Sequence, residues 1–123
     1  MLHFLLAMSL ISTWTAKTPD LRHFQWKNRV LLLFAPSETD AVLKEQTALI
    51  EAHATGFQDR DLIVFVVPAH APWWERFHAD AGRFTVVLIG KDGGEKLRQT
   101  SLLQPEKLFQ VVDSMPMRRA GER

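Results

Sequence analysis

Cysteine is absent from all 123 residues of the chain. That excludes a thiol nucleophile, a disulfide framework and any cysteine-ligated metal. It leaves the compartment open, because a cysteine-free chain folds equally well in reducing and oxidising surroundings. An excess of one charge is lacking too: fifteen basic and fourteen acidic side chains leave a net +1. No global field draws the protein to nucleic acid or to a membrane, so any electrostatic preference must be local. Low-complexity tracts and internal repeats are missing. So is an apolar run of the roughly 20 residues that a membrane-spanning helix needs. Met1 to Ala16 carries no Asp, Glu, Lys or Arg, and Leu2 to Ile11 is almost wholly apolar. This stretch is too short to span a bilayer and fits the apolar core of an export signal, ending on the small residue Ala16; the alternative is an apolar N-terminal strand or helix packed on the domain.

What is present suits a single domain. The chain is 46% hydrophobic and long enough to bury a core without staples. The expected layout is a signal over 1–16, a linker over 17–20, a folded domain over 21–119 and a short tail over 120–123. The signal implies a periplasmic or secreted protein.

Val30 to Phe34 is a continuous apolar run, as in a strand covered on both faces. Ser37 with Asp40 has the capping-box spacing, with Asp in place of Glu, and predicts a helix start. Val42, Leu43, Leu49 and Ile50 then share a helical face, with Gln46 between them, and Gly56 suits the stop. Leu62 to Val67 is a second buried strand, so the three elements form a right-handed βαβ unit with parallel strands. A short helix after Pro72 carries Trp73, Trp74 and Phe77 on one side. Thr85 to Ile89, the turn Lys91-Asp92-Gly93-Gly94 and Glu95 to Arg98 read as a hairpin. Pro105 opens a last helix with Leu108, Phe109, Val112 and Met115 on one face, and Pro116 closes it.

The order β-α-β, short helix, β-β, α predicts an α/β thioredoxin-like sandwich: a mixed four-stranded sheet with helices on both faces. A two-layer ferredoxin-like α+β fold is the main competitor. The Trp-rich segment before the hairpin favours the sandwich.

Four segments carry a resemblance to a known family. They are Phe24-Gln-Trp-Lys-Asn-Arg-Val-Leu-Leu-Leu-Phe-Ala-Pro36, Asp59-Arg-Asp-Leu62, Leu88-Ile-Gly-Lys-Asp-Gly-Gly-Glu-Lys-Leu-Arg98 and Met115-Pro-Met-Arg-Arg119. With these the chain resembles the thioredoxin-like domain of unknown function 4174, found in small exported bacterial proteins and in vertebrate matrix-associated proteins such as equarin and some sushi-repeat proteins. The resemblance implies a fold and export. It implies no activity and no cofactor.

The place of the usual thioredoxin dithiol is taken by Ala35-Pro36-Ser37-Glu38-Thr39-Asp40, and that of the usual cis-proline by Phe84. Ser37 or Thr39 has no evident neighbouring base, so a helix cap is the better reading than a nucleophile. Strand order brings the matching motifs to the opposite pole. Arg29, Asp59, Arg60, Lys91, Asp92, Gly93, Gly94 and Arg118 should converge there. With Lys27, Asp61 and Arg119 the cations exceed the carboxylates by about three. Two readings follow. The arginines clamp Asp92 or Asp59 by bidentate pairing, or they form an anion site beside a nest of the Gly93 and Gly94 amides. Glu75 and His78, one helical step apart with His70 nearby, are a weak metal candidate, because a divalent site needs three or four fixed ligands. The sequence therefore points to a non-redox binding module, cofactor-free, with an unknown protein or anionic ligand as partner and no nucleic acid. An enzyme of unknown type that does not use cysteine is the alternative.

Overall fold

The computed structural model describes residues 10–121. Five strands form one mixed sheet: β1 (Ile11–Ser12), β2 (Arg29–Phe34), β3 (Leu62–Val66), β4 (Thr85–Ile89) and β5 (Glu95–Gln99), in the order β1-β3-β2-β4-β5. β1 and β2 flank β3 in parallel, whereas β4 runs antiparallel to both β2 and β5. The helices are α1 (Ala41–Ala52), α2 (Ala54–Asp59), α3 (Trp73–Arg76), α4 (Pro105–Asp113) and α5 (Pro116–Arg119), with a 3-10 turn over Leu21–Phe24.

Side-chain alternation along the strands divides the core. Leu31 and Leu33 of β2, Leu62 and Val64 of β3 and Val86 and Leu88 of β4 face α1, α2 and α4 through Leu43, Ile50, Phe57, Leu108 and Val112. Val30, Leu32 and Phe34 face the other way. They pack with Phe65, Val87 and Ile89 against the 3-10 turn and α3, where Leu21 and Trp73 are buried. Every residue of β2 is buried, as its unbroken apolar run requires of a strand covered on both faces.

Four expectations are corrected in detail. The sheet has five strands rather than four. The added strand, β1, lies inside the stretch read as an export signal, whose residues 1–9 fall outside the described residues. Asp40, not Ser37, caps α1: its carboxylate accepts from the Leu43 amide at 3.0 Å, while Ser37 Oγ meets Thr39 Oγ1 at 3.3 Å. Gly56 does not stop a helix but lies within α2, where a Cβ would approach Phe109 Cζ to 2.7 Å. Close packing of α2 on α4 is its reason. Pro116 follows the end of α4 and also opens α5, taking the first helical position, where its missing N–H is no loss.

Candidate functional site

Two poles of the sheet are candidates. At the first, β2 and β3 begin side by side, Arg29 opposite Leu62, and β4 ends with Ile89 opposite Val30. The hairpin turn and the ends of α2 and α4 lie there too. The Arg29 amide donates to the Asp61 carbonyl at 2.9 Å. The Arg29 side chain is buried, and its guanidinium donates to the Arg60 carbonyl at 2.8 Å and faces Met115 Sδ at 3.3 Å. Lys91 Nζ, also buried, donates to the Asp61 carboxylate at 2.8 Å. Arg118 grips Asp59 by side chain and carbonyl and reaches Asp113 at 3.3 Å.

Arg60 joins two helices here. It donates to Asp113 through Nε at 2.9 Å and Nη2 at 3.0 Å, and to the Gly56 carbonyl at 2.9 Å. Its guanidinium carbon lies 4.0 Å from the Phe109 ring centroid. That side chain ties α2 to α4 by a bidentate ion pair and a cation–π contact. The hydrogen bonds from Arg60, with help from Arg118, lower the Asp113 carboxyl below the usual range. The Asp59 hydrogen bond, and Asp113 after it, raise Arg118 further.

Arg29, Asp59, Arg60, Lys91 and Arg118 thus meet as strand order predicts. Asp92 does not take an arginine. Its carboxylate accepts from the Gly94 amide at 2.9 Å and from Lys96 Nζ at 2.8 Å, and these bonds, Lys96 first, lower its pKa. The Gly93 amide donates to the Gly90 carbonyl at 3.0 Å, so both glycine amides of the turn are already used. Gly93 sits at φ +88°, which only glycine takes without strain. The turn is held from outside by Gln25 Nε2 on the Asp92 carbonyl at 2.9 Å and the Trp26 amide on that of Lys91 at 2.7 Å.

Asp113 was missed by sequence reasoning. The signal available was an acid in the last turn of a helix, five residues before Arg118. Gln46 stands among the apolar residues of its helix with no role that the sequence assigns. Buried in the core, it exchanges two hydrogen bonds with the Leu103 backbone, at 2.9 Å and 2.7 Å.

The second pole is where β2 and β3 end. Here a groove of about 800 Å³ opens between the β1 segment, the turn after β2 at Pro36 to Glu38, and the loop Pro68–Pro72. Leu43 and Val66 contribute apolar wall, while Thr13, Thr47 and Lys44 contribute polar edge. Among the described residues no imidazole or carboxylate hydrogen-bonds Ser37. Phe84, before β4, is a buried core residue. Trp73 is buried and Trp74 half-buried, its indole donating to the Pro68 carbonyl at 2.9 Å. Glu75 lies in α3, and His78 follows it at φ +55°. No group of three or more His, Asp or Glu that could hold a metal ion is found among the described residues.

A β1-β3-β2-β4-β5 mixed sheet clothed by helices on both faces, with no cysteine, defines a thioredoxin-like domain without the thiol site. Solved structures agree on the fold. Reduced 2-Cys peroxiredoxin of Plasmodium vivax superposes with a TM-score of 0.69 at 12% identity, covering 83% of this chain and 85% of its own. Reduced desulfothioredoxin of Desulfovibrio vulgaris Hildenborough gives 0.62 at 16%, covering 88% and 100%. No curated protein sequence matches the chain. The model of the domain of unknown function DUF4174 matches residues 20–76 and 68–121, and the chain belongs to that family.

Proposed function

We propose that this is an exported, non-redox binding module whose ligand enters the groove at the ends of β2 and β3. The observation that carries the proposal is the groove itself. It is the roomy concavity at the pole where parallel strands run out, the usual place for a ligand in sheets of this kind. The chain has no cysteine, and among the described residues Ser37 meets only the Thr39 hydroxyl, so this serine has no base to activate it. The arginine pole enters as a clasp, since its guanidinium groups are engaged by Asp59, Asp113 and backbone carbonyls.

Amide chemical-shift mapping against a panel of peptides, neutral glycans and sulfated glycans tests the choice of pole. Shifts gathered at residues 35–38 and 68–72 support the groove. Sulfate-dependent shifts gathered on Arg60 and Arg118 would move the site to the arginine pole and restore the anion reading.

Export is part of the proposal, and the fold bears on where processing falls. A cut after Ala16 would strip β1 and Trp14 from the domain. N-terminal sequencing of the exported protein should therefore show β1 and Trp14 still attached. A start at or beyond Lys17 would refute retention of the strand.

A further inference from the structure

β1 is thin, and what it covers is not. It pairs with β3 over Ile11–Ser12, opposite Val64 and Phe65, whereas β2 pairs with β3 from Arg29 to Leu33. The Val64 amide reaches the Leu10 carbonyl only at 3.4 Å. Thr13 Oγ1 adds a bond to the Val66 carbonyl at 2.8 Å. Beyond that the anchor is apolar on both faces: Leu10 and Ile11 pack against the core on the α1, α2 and α4 side, and on the other side the Trp14 ring meets Phe65 edge-on at 5.7 Å and Trp73 at 4.7 Å. Beneath lies the outer edge of β3, in the run Leu62-Ile-Val-Phe-Val-Val67. That run has no lysine, proline or bulge of the kind that blunts an exposed edge. The same segment, from Ile11 onward, is a wall of the groove, so its departure would bare the edge and open the groove together.

We propose that the outer edge of β3 is an acceptor for an extended peptide, with Leu10–Trp14 as its built-in occupant. The partner is a protein segment of the same chemistry: an apolar residue, then an aromatic three positions on, laid parallel to β3. Main-chain bonds to Val64 and Val66 supply affinity, and the socket of Phe65 and Trp73 supplies selectivity. The occupant competes with the partner, so observed affinity is reduced by the fraction of molecules whose edge is covered. This rests on the groove reading and names its ligand class.

The test is a labelled peptide of residues 9–17, Ser-Leu-Ile-Ser-Thr-Trp-Thr-Ala-Lys, titrated onto the full chain by fluorescence polarisation. The Trp14→Ala chain, its own aromatic anchor removed, should bind the peptide at least about tenfold more tightly than the unaltered chain. The same peptide with alanine for tryptophan should not bind. With no native cysteine, Thr13→Cys with Val66→Cys allows a single disulfide; the oxidised form should lose binding and the reduced form regain it. Should these variants fail to fold, hydrogen exchange on the unaltered chain carries the test. The Val64 amide, facing β1, should exchange at least about tenfold faster than the Phe65 amide, facing β2. Equal protection, peptide binding unchanged by the lock, or a strand-swapped dimer in place of peptide binding would each overturn the proposal. Ligand shifts in the groove with no peptide binding by any variant would overturn it while leaving the groove reading intact. No shift at this pole with any ligand would remove both.

Discussion

Asp113 holds two guanidinium groups, one of them on a half-turn leading into β3 and the other on the last helix. Asp113→Ala leaves Arg60 and Arg118 short of an acceptor. It should lower stability by about 1–2 kcal/mol in urea melts, the carboxylate being nearly half exposed. Asp92→Ala should cost less, about 0.5 kcal/mol, because Asp92 pairs with surface Lys96 and its own turn. The sequence offers Asp92 or Asp59 as the arginine partner; the structure pairs Asp59 with Arg118 and puts Asp113, not Asp92, beside it. Strand order places backbone ends at a pole but not the reach of a side chain, and Lys96, four residues on across the hairpin, takes Asp92 first. The acid limb follows from the same carboxylate. Its pKa is lowered in the folded state, so its contribution is complete above the unfolded value near 3.9 and fades as pH falls through the lower folded value. Asp113→Asn should therefore flatten the loss of stability below about pH 4. An unchanged acid limb would mean that the pair contributes little.

Elements with a strong period were legible, and those without one were not. β2, β3, the hairpin and the Pro105 helix follow from apolar runs, turn residues and helical spacing. β1 is legible only as the alternative to an export signal, because a strand of two residues has no period of its own to decide between the two. The break between α1 and α2 falls at His53, where no glycine or proline marks it, and Gly56, read as the stop, is a point of close approach instead. Gly56→Ala should test the close approach. A Cβ 2.7 Å from Phe109 forces the ring and its Arg60 partner to shift, and overpacking of this kind costs about 1–3 kcal/mol. A true helix stop would give a smaller effect. Gln46→Leu is the matching test on α1. It keeps the volume but leaves the Leu103 N–H and C=O buried without partners, at a cost of about 2 kcal/mol or more in denaturant melts. An effect under about 0.5 kcal/mol would show that water replaces the amide.

For the whole molecule the layer order, the parallel pairing of β2 with β3 and the opposition of the two poles are readable from strand order. The groove was not, since its volume depends on loops Pro36–Glu38 and Pro68–Pro72 whose separation no pattern encodes. The purified protein should show no insulin reduction and no thiol-dependent peroxide turnover, because the chain contains no thiolate to attack either substrate. Turnover by clean recombinant protein would sink the non-redox reading.

The β3 run has a further consequence during synthesis. Leu62 to Val67 is a six-residue, uncharged, β-branched and aromatic segment, the composition of a dry cross-β zipper. Its cover, Leu10 to Trp14, leaves the ribosome about fifty residues earlier, some seconds ahead at ordinary elongation rates. The vulnerable strand therefore emerges into the company of a segment already able to shield it. Fibril nucleation in this protein would then be governed less by overall stability than by whether that first segment is still attached.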